Sequence, residues 1–278
     1  MAARVRVGPG RPNGGAIRYA VLGLGYISQT AVLPAFEHAA RNSTLAALVS
    51  GNSRKLQTLG RRYGVRHLYH YDQLDELYGS GEIDAVYIAL PNSLHQQHAI
   101  RAARAHLHVL CEKPMALTSA ECDRMIRAAR DANVKLMIAY RLHFERTNLE
   151  VAEIARSGRL GDLRYFSAQY AMQVAPGNIR LKRDLGGGPL YDIGIYCINA
   201  ARTVFAAEPV EVWATAASSG DPRFREVPET VVGVMRFPGD RLASFTCSFG
   251  SAFRSVYELI GTNGSLIVDP AYEFAEGL

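Results

Sequence analysis

Lysine is nearly missing from this chain: four residues, at positions 55, 113, 135 and 182, stand against 27 arginines. Where a composition so disfavours lysine, each one that remains is a candidate for a task that arginine does badly. Cysteine is scarce as well. Cys111, Cys122, Cys197 and Cys247 are widely spaced and include no C-x-x-C, so they read as buried thiols rather than a disulfide frame or a metal site. No run approaches the ~18 consecutive apolar residues of a membrane span. The first 17 residues, MAARVRVGPGRPNGGAI, lack the continuous apolar core of a secretory leader and read as a loose, flexible tail. A cytoplasmic location without membrane contact is the expectation. The net charge of +5 is spread along the chain, with no basic cluster and no aromatic–basic interleaving, which argues against nucleic acid as a partner.

What is present is ordinary globular composition, 48% hydrophobic and 21% charged, over 278 residues, enough for one large or two moderate domains. Apolar, β-rich runs at 18–24, 45–50, 67–71, 84–90, 108–114 and 135–140 alternate with helical stretches at 26–40, 53–64, 72–80, 93–106 and 119–134. Pro34 is expected to bend the first of these helices or to end its first part. Such alternation predicts right-handed crossovers and a doubly wound parallel sheet over residues 18–141. Beyond it a helix at 148–161, a long strand at 162–174 and a helix at 191–206 precede strands at 210–219, 230–238, 241–250, 255–261 and 265–269. The short turns FPGDR and GTNG favour antiparallel pairing. The fold class is therefore α/β: a Rossmann-type N-terminal domain, then an α+β domain over 142–278 with a largely antiparallel open sheet.

The first strand runs into Gly23-Leu24-Gly25-Tyr26-Ile27-Ser28, a G-x-G-x-x-S turn opening a helix. Glycines at that point let a dinucleotide pyrophosphate approach free N–H donors, and Ser28 is small enough for close helix–strand packing. The second strand lacks something: no Asp or Glu stands at its end, where an NAD-selective site carries one for the ribose hydroxyls. It ends Ser50-Gly51-Asn52-Ser53-Arg54-Lys55 instead, with hydroxyl and amide donors and two cations suited to a 2′-phosphate. That favours NADP over NAD, against the plainer reading of a helix cap with solvated Arg and Lys. Cys111-Glu112-Lys113-Pro114 closes a strand at its carboxyl end, where open α/β sheets bind ligands; a surface ion pair is the alternative for Glu112 and Lys113. Asp192 and Tyr196, four apart on a helix, share a face, and the Gly186-Gly187-Gly188 loop before them lets another backbone or a ligand come close. A Tyr beside a Lys ammonium is a proton-transfer pair for oxidising an alcohol. Taken singly, Tyr196 could be a core aromatic and Asp192 a cap. His95 and His98 lack a nearby third ligand, so helix-surface or cofactor-edge roles are expected and no metal.

Together AVLGLGYISQTAVLPAF, ALVSGNSRK, DAVYIALPNSLH, VLCEKPMA, KLMIAYR and GGGPLYDIGIYCINAAR resemble the Gfo/Idh/MocA oxidoreductases, and within them the glucose–fructose oxidoreductase group, over residues 18 to 270. The resemblance implies an NADP(H)-linked enzyme acting on a sugar hydroxyl, either as an aldose dehydrogenase or as a keto-sugar reductase or dihydrodiol-type dehydrogenase using the same site. It implies that Lys113 and Tyr196 act together on the sugar and that Asp192 orients its hydroxyl. Tyr196, where many relatives have His, points to the pyranose-oxidising branch. The resemblance further implies that Gly23, Leu24, Gly25, Tyr26 and Ile27 hold the pyrophosphate and that Ser50, Gly51, Asn52 and Lys55 hold the ribose phosphate. Tyr71, Leu90, Pro91, Asn92, His95, Glu112, Lys113 and Arg141 match further cofactor contacts, and the Lys113–Pro114 bond is often cis in the family. Self-association as a dimer or tetramer through the second sheet is implied too. Family members usually continue for some tens of residues past the point where this chain reads DPAYEFAEGL, so a truncated, non-catalytic NADP-binding product is a competing expectation.

Overall fold

A computed structural model describes residues 15–273; most of the expected N-terminal tail lies outside the described residues. The chain divides into two compact units between Ala139 and Tyr140.

The first unit holds six parallel strands in the order β3-β2-β1-β4-β5-β6. They are β1 (Ile17–Leu22), β2 (Ser43–Val49), β3 (His67–Tyr69), β4 (Ala85–Ile88), β5 (His108–Cys111) and β6 (Leu136–Ile138). The helices between them are α1 (Leu33–His38), α2 (Ser53–Tyr63), α3 (Leu74–Gly79), α4 (His95–Arg104) and α5 (Ser119–Asp131). Both sheet faces are covered, which is why β1 and β2 end in runs without polar alternation. One core joins Leu22, Val49 and Ile88 to Leu74, Leu77, Ala102 and Met125; the other joins Val21 and Leu48 to Leu33, Leu56 and Leu59. Each such buried side chain contributes about 1.5–3 kcal/mol over its exposed state. Local chemistry sets the helix ends. The Asn52 side chain accepts the Lys55 N–H at 3.0 Å, and Gly64 stops α2 at φ 67°. Thr118 and Glu121 form a reciprocal capping box on α5.

Pro34 marks the end of the first helix's first part rather than of the helix. The turn before it, Ser28–Val32, is π-helical, and the Leu33 N–H reaches back five residues to the Ser28 carbonyl. This shift of the ladder lets a residue without an N–H sit in the following turn, and α1 runs on to His38.

The second unit has a six-stranded sheet in the order β12-β11-β7-β10-β9-β8. Its strands are β7 (Leu163–Gln173), β8 (Glu211–Ala217), β9 (Thr230–Phe237), β10 (Arg241–Ser248), β11 (Gly250–Gly261) and β12 (Ser265–Val268), with α6 (Arg146–Arg156) and α7 (Ile195–Phe205). All pairings are antiparallel except β10 with β7, which is parallel. The turns reveal only the pairing of strands they join, and β7 and β10 are not so joined. One face packs Phe166, Phe245, Met235, Tyr257 and Leu259 against Ala201, Val204 and Phe205 of α7. The other carries Trp213, 60% exposed, beside Val234 in register, with Ile267 62% exposed at the far edge. No helix among the described residues is long and apolar enough to cross a membrane.

Candidate active site

In the first unit every expected cofactor segment follows the carboxyl end of a strand: the glycine turn after β1, Ser50–Lys55 after β2, Tyr71 after β3, Leu90–Asn92 after β4, Glu112–Lys113 after β5. β1 lies between β2 and β4, where the winding reverses, which is the crevice in which such sheets bind ligands.

The two glycines of the turn are there for different reasons. Gly23 has φ +95°, and a Cβ on it would overlap the Ala89 carbonyl, lying 2.9 Å from its carbon and 3.0 Å from Leu90 Cδ2. A Cβ on Gly25 would meet nothing within 4 Å. Gly23 thus serves the β1–β4 junction, and Gly25 leaves the open space a pyrophosphate needs. Ser28 does more than fit: fully buried, its hydroxyl donates to the Gly23 carbonyl at 2.5 Å and ties the turn shut.

At the end of β2 the cap uses up acceptors and leaves donors. Asn52 Oδ1 accepts the Lys55 N–H, and Ser50 Oγ accepts the Asn52 N–H at 3.2 Å. The Asn52 amide nitrogen and the Ser50 hydroxyl proton are what such a cap can offer an anion. Lys55 Nζ donates to the Leu24 carbonyl at 3.3 Å, bringing its ammonium to the glycine turn. The Tyr71 ring lies 3.6 Å from where a Gly51 Cβ would be. These residues fit a phosphorylated dinucleotide: a cradle kept free of side chain, donors and a cation, and no carboxylate.

Glu112 accepts the Tyr87 hydroxyl at 2.7 Å and the Lys113 N–H at 3.3 Å, and the Lys113–Pro114 peptide is cis. His95 corrects an expectation. Its side chain is fully buried, with Nδ1 2.8 Å from the Pro114 carbonyl and Nε2 3.0 Å from the Leu90 carbonyl. It braces the loops after β4 and β5 from beneath and has no surface left for a cofactor. His98 is buried too, so neither lies on the helix surface; desolvation pushes both imidazoles below their ordinary range. Among the described residues no group of three or more His, Cys, Asp or Glu could hold a metal ion.

In the second unit Asp192 lies in a π-helical turn, Leu190–Gly194, that leads into α7, and Tyr196 follows in the first turn of α7. Asp192 Oδ2 accepts from Arg180 Nε at 2.6 Å, and its side chain is 15% exposed. Attraction to Asp192 raises the Arg180 pKa, and Tyr170 and Tyr196 lie close enough to add to it. The Tyr196 ring packs edge-on to Tyr170 at 5.8 Å and against Tyr272 at 6.0 Å. Arg141 belongs to this unit: its guanidinium lies 5.9 Å from the Tyr196 ring centre and donates to the Tyr272 carbonyl. The glycine triplet admits another backbone. A Cβ on Gly187 would overlap the carbonyls of Arg180 and Lys182, and the N–H of Gly188 donates to the Arg180 carbonyl at 2.9 Å. Arg180 and Tyr170 belong to no motif visible in the sequence; one arginine among 27 carries no signal.

Residues 17–140 match the model described as "Oxidoreductase family, NAD-binding Rossmann fold", and residues 148–267 match the GFO/IDH/MocA C-terminal domain. This chain belongs to the Gfo/Idh/MocA oxidoreductase family. It is 36% identical over 255 residues to the uncharacterized oxidoreductase ORF334 of Rhizobium meliloti, covering 90% of this chain and 73% of that one. It is 30% identical to a D-xylose 1-dehydrogenase [NADP(+)] of Haloarcula marismortui, over 92% of this chain and 73% of the other. Among solved structures, the aldose-aldose oxidoreductase of Caulobacter crescentus complexed with glycerol superposes with a TM-score of 0.89 at 41% identity, over 92% of this chain and 78% of that one. The chain thus spans about three quarters of the length of these relatives.

Proposed function

We propose that this chain is an NADP(H)-dependent oxidoreductase that transfers hydride between the carbon bearing an aldose hydroxyl, anomeric or on the ring, and the nicotinamide. The observation that carries the reading is the arrangement in the second unit: a carboxylate held by a guanidinium, four residues before a tyrosine flanked by a second guanidinium. The NADP-dependent xylose dehydrogenase and the aldose–aldose oxidoreductase among its relatives support the same substrate class and cofactor.

In this reading Gly25 makes room for the pyrophosphate, while Ser50, Asn52 and Lys55 donate to the 2′-phosphate. When bound, the nicotinamide supplies the hydride acceptor or donor. Tyr196, as the phenolate that Lys113 stabilises, takes the proton of the sugar hydroxyl and becomes the neutral phenol, and Asp192 accepts a hydrogen bond that orients the sugar. The second unit binds the substrate, and its open sheet face, apolar at Trp213, Val234 and Ile267, takes a second copy of the chain.

The test is a panel of aldoses offered with NADP and with NAD, followed by nicotinamide absorbance. Aldose-dependent reduction of NADP is expected, with Lys113→Met and Tyr196→Phe each losing roughly 10²–10⁴-fold in kcat while still binding NADP. Wild-type turnover in either variant would sink the assignment. Reduction of keto-sugars with no aldose oxidation would make the chain a reductase using the same residues.

A further inference from the structure

Arg180 is absent from the chemistry above, yet the second unit is built to hold it in one place. The short turn that carries it, Ile179–Leu181, is capped by Asn178, whose Oδ1 accepts the Arg180 N–H at 3.0 Å. On its other side the turn is sewn to the glycine triplet: Gly187 N–H to the Lys182 carbonyl at 2.8 Å, Gly188 N–H to the Arg180 carbonyl at 2.9 Å. Two residues after Gly188 the chain enters the π-helical turn that holds Asp192. The backbone of Arg180 and that of Asp192 are thereby fixed to each other before any side chain is considered. The Nε–Oδ2 hydrogen bond at 2.6 Å closes the ring.

A carboxylate that orients a sugar hydroxyl must be ionised and must present a chosen oxygen. Water does neither reliably in an open cleft, because a free Asp rotates about χ2 between equivalent settings. A planar guanidinium that commits one oxygen fixes the rotation and favours the charged form, and Arg suits this better than Lys because its donors are held in a rigid fork.

We propose that Arg180 is a positioning residue for the sugar: it pins Asp192 through Oδ2 so that the carboxylate meets the substrate hydroxyl in one orientation. The Gly186–Gly188 loop is the fastening that keeps Arg180 there. The inference rests on the proposed sugar oxidoreductase reading, and it names the part of the site that sets sugar affinity rather than cofactor affinity.

Three measurements on the full chain test it. In the first, Arg180→Met is expected to lower aldose kcat/KM on the order of 10- to 100-fold, the loss that goes with removing a charge-assisted hydrogen bond. Most of the loss should appear in sugar KM, with the NADP Kd by titration calorimetry unchanged. Arg180→Lys should recover part of it, as should millimolar guanidinium added to Arg180→Ala. In the second, the Arg180→Met/Asp192→Asn double variant should be no worse than Asp192→Asn alone, since both remove one device. The third needs no substrate. The Arg180 Nε–H resonance in ¹⁵N-labelled protein should exchange slowly with solvent and should shift and exchange faster in Asp192→Asn.

Additive losses in the double variant, or wild-type sugar KM in Arg180→Met, would overturn the positioning role. An Arg180 Nε–H indifferent to Asp192→Asn would overturn the pairing itself. A wild-type chain that oxidises or reduces no sugar, while keeping the protected Nε–H, would overturn the functional reading and the positioning role, yet leave the pairing standing.

Discussion

The two glycines of the β1 turn should come apart under the same substitution. Gly23→Ala asks a residue with a Cβ to adopt φ +95° and to overlap the Ala89 carbonyl, with Leu90 Cδ2 3.0 Å away. The Leu90 methyl ends a flexible side chain and can give; the carbonyl cannot. Ala89 is backbone, and its N–H is already bonded to the Leu22 carbonyl at 2.8 Å across the β1–β4 pair. Left-handed backbone and local strain cost about 1–3 kcal/mol. With the overlap added, a loss of about 2–4 kcal/mol is expected, a fall in Tm on the order of 10 °C for a domain of this size. Gly25→Ala meets open space and no positive φ, so its stability should stay within about 0.5 kcal/mol of wild type. It nevertheless puts a methyl group where the pyrophosphate is proposed to lie, and NADP affinity should fall at least about tenfold, or 1.4 kcal/mol. The assay is paired: thermal unfolding without nucleotide, then calorimetric titration with NADP at a temperature where both variants are folded. A Gly25→Ala protein that loses stability, or binds NADP as wild type does, would refute the division of roles; so would Gly23→Ala with an unchanged Tm.

Cofactor choice should follow the missing carboxylate. Ser50→Asp puts a negative charge at the end of β2 and is expected to lower the NADP-to-NAD ratio of kcat/KM at least about tenfold through like-charge repulsion, measured with one saturating sugar. Acid should loosen the first unit. Burial lowers the pKa of His95 and His98, so the unfolded chain binds more protons between those values and the ordinary value of about 6.5. Stability is then full above about pH 6.5 and lost as pH falls through that window. Denaturant midpoints taken downward from pH 7 check this, and His98→Gln should flatten the slope.

The alternation of apolar runs and helices was enough to read the parallel sheet, because a strand covered on both faces leaves an uninterrupted apolar run such as AVL before the first glycine. The edge of that sheet where the cofactor is proposed to bind was legible for the same reason: each motif simply follows its strand. Three things were not. The parallel β7–β10 pair joins strands about 70 residues apart, and no turn chemistry reports on it. His95 reads like a surface or cofactor residue because its partners are two backbone carbonyls, and carbonyls have no sequence. Arg180 was hidden because its meaning lies in a contact with Asp192, twelve positions on, through a glycine loop that reads equally well as a ligand gap.

The candidate residues of each unit sit beside a device that hydrophobic periodicity cannot report. A π-helical turn follows the glycine turn at Ser28–Val32, and another holds Asp192 at Leu190–Gly194. Each has one N–H reaching five residues back, Leu33 to Ser28 and Ile195 to Leu190. Such turns cost hydrogen-bond geometry and are kept mostly where they position something. The first pays for Pro34. The second has Pro189 at its N-cap but no proline in the helix that follows it, so a missing N–H does not explain it. There Gly194 brings the helix so near the sheet that a Cβ would lie 2.9 Å from Cys247 Sγ on β10 and 3.1 Å from Leu190 Cδ1. A regular turn pressed that close would have to move its polar side chains along with its backbone. The wide turn lets the glycine approach the sheet while Asp192, two residues earlier, keeps its hold on Arg180, and Tyr196, two residues later, stays among Arg141, Tyr170 and Tyr272. The glycine in D-I-G-I-Y is thus a packing residue, seated between the two residues proposed to carry the chemistry.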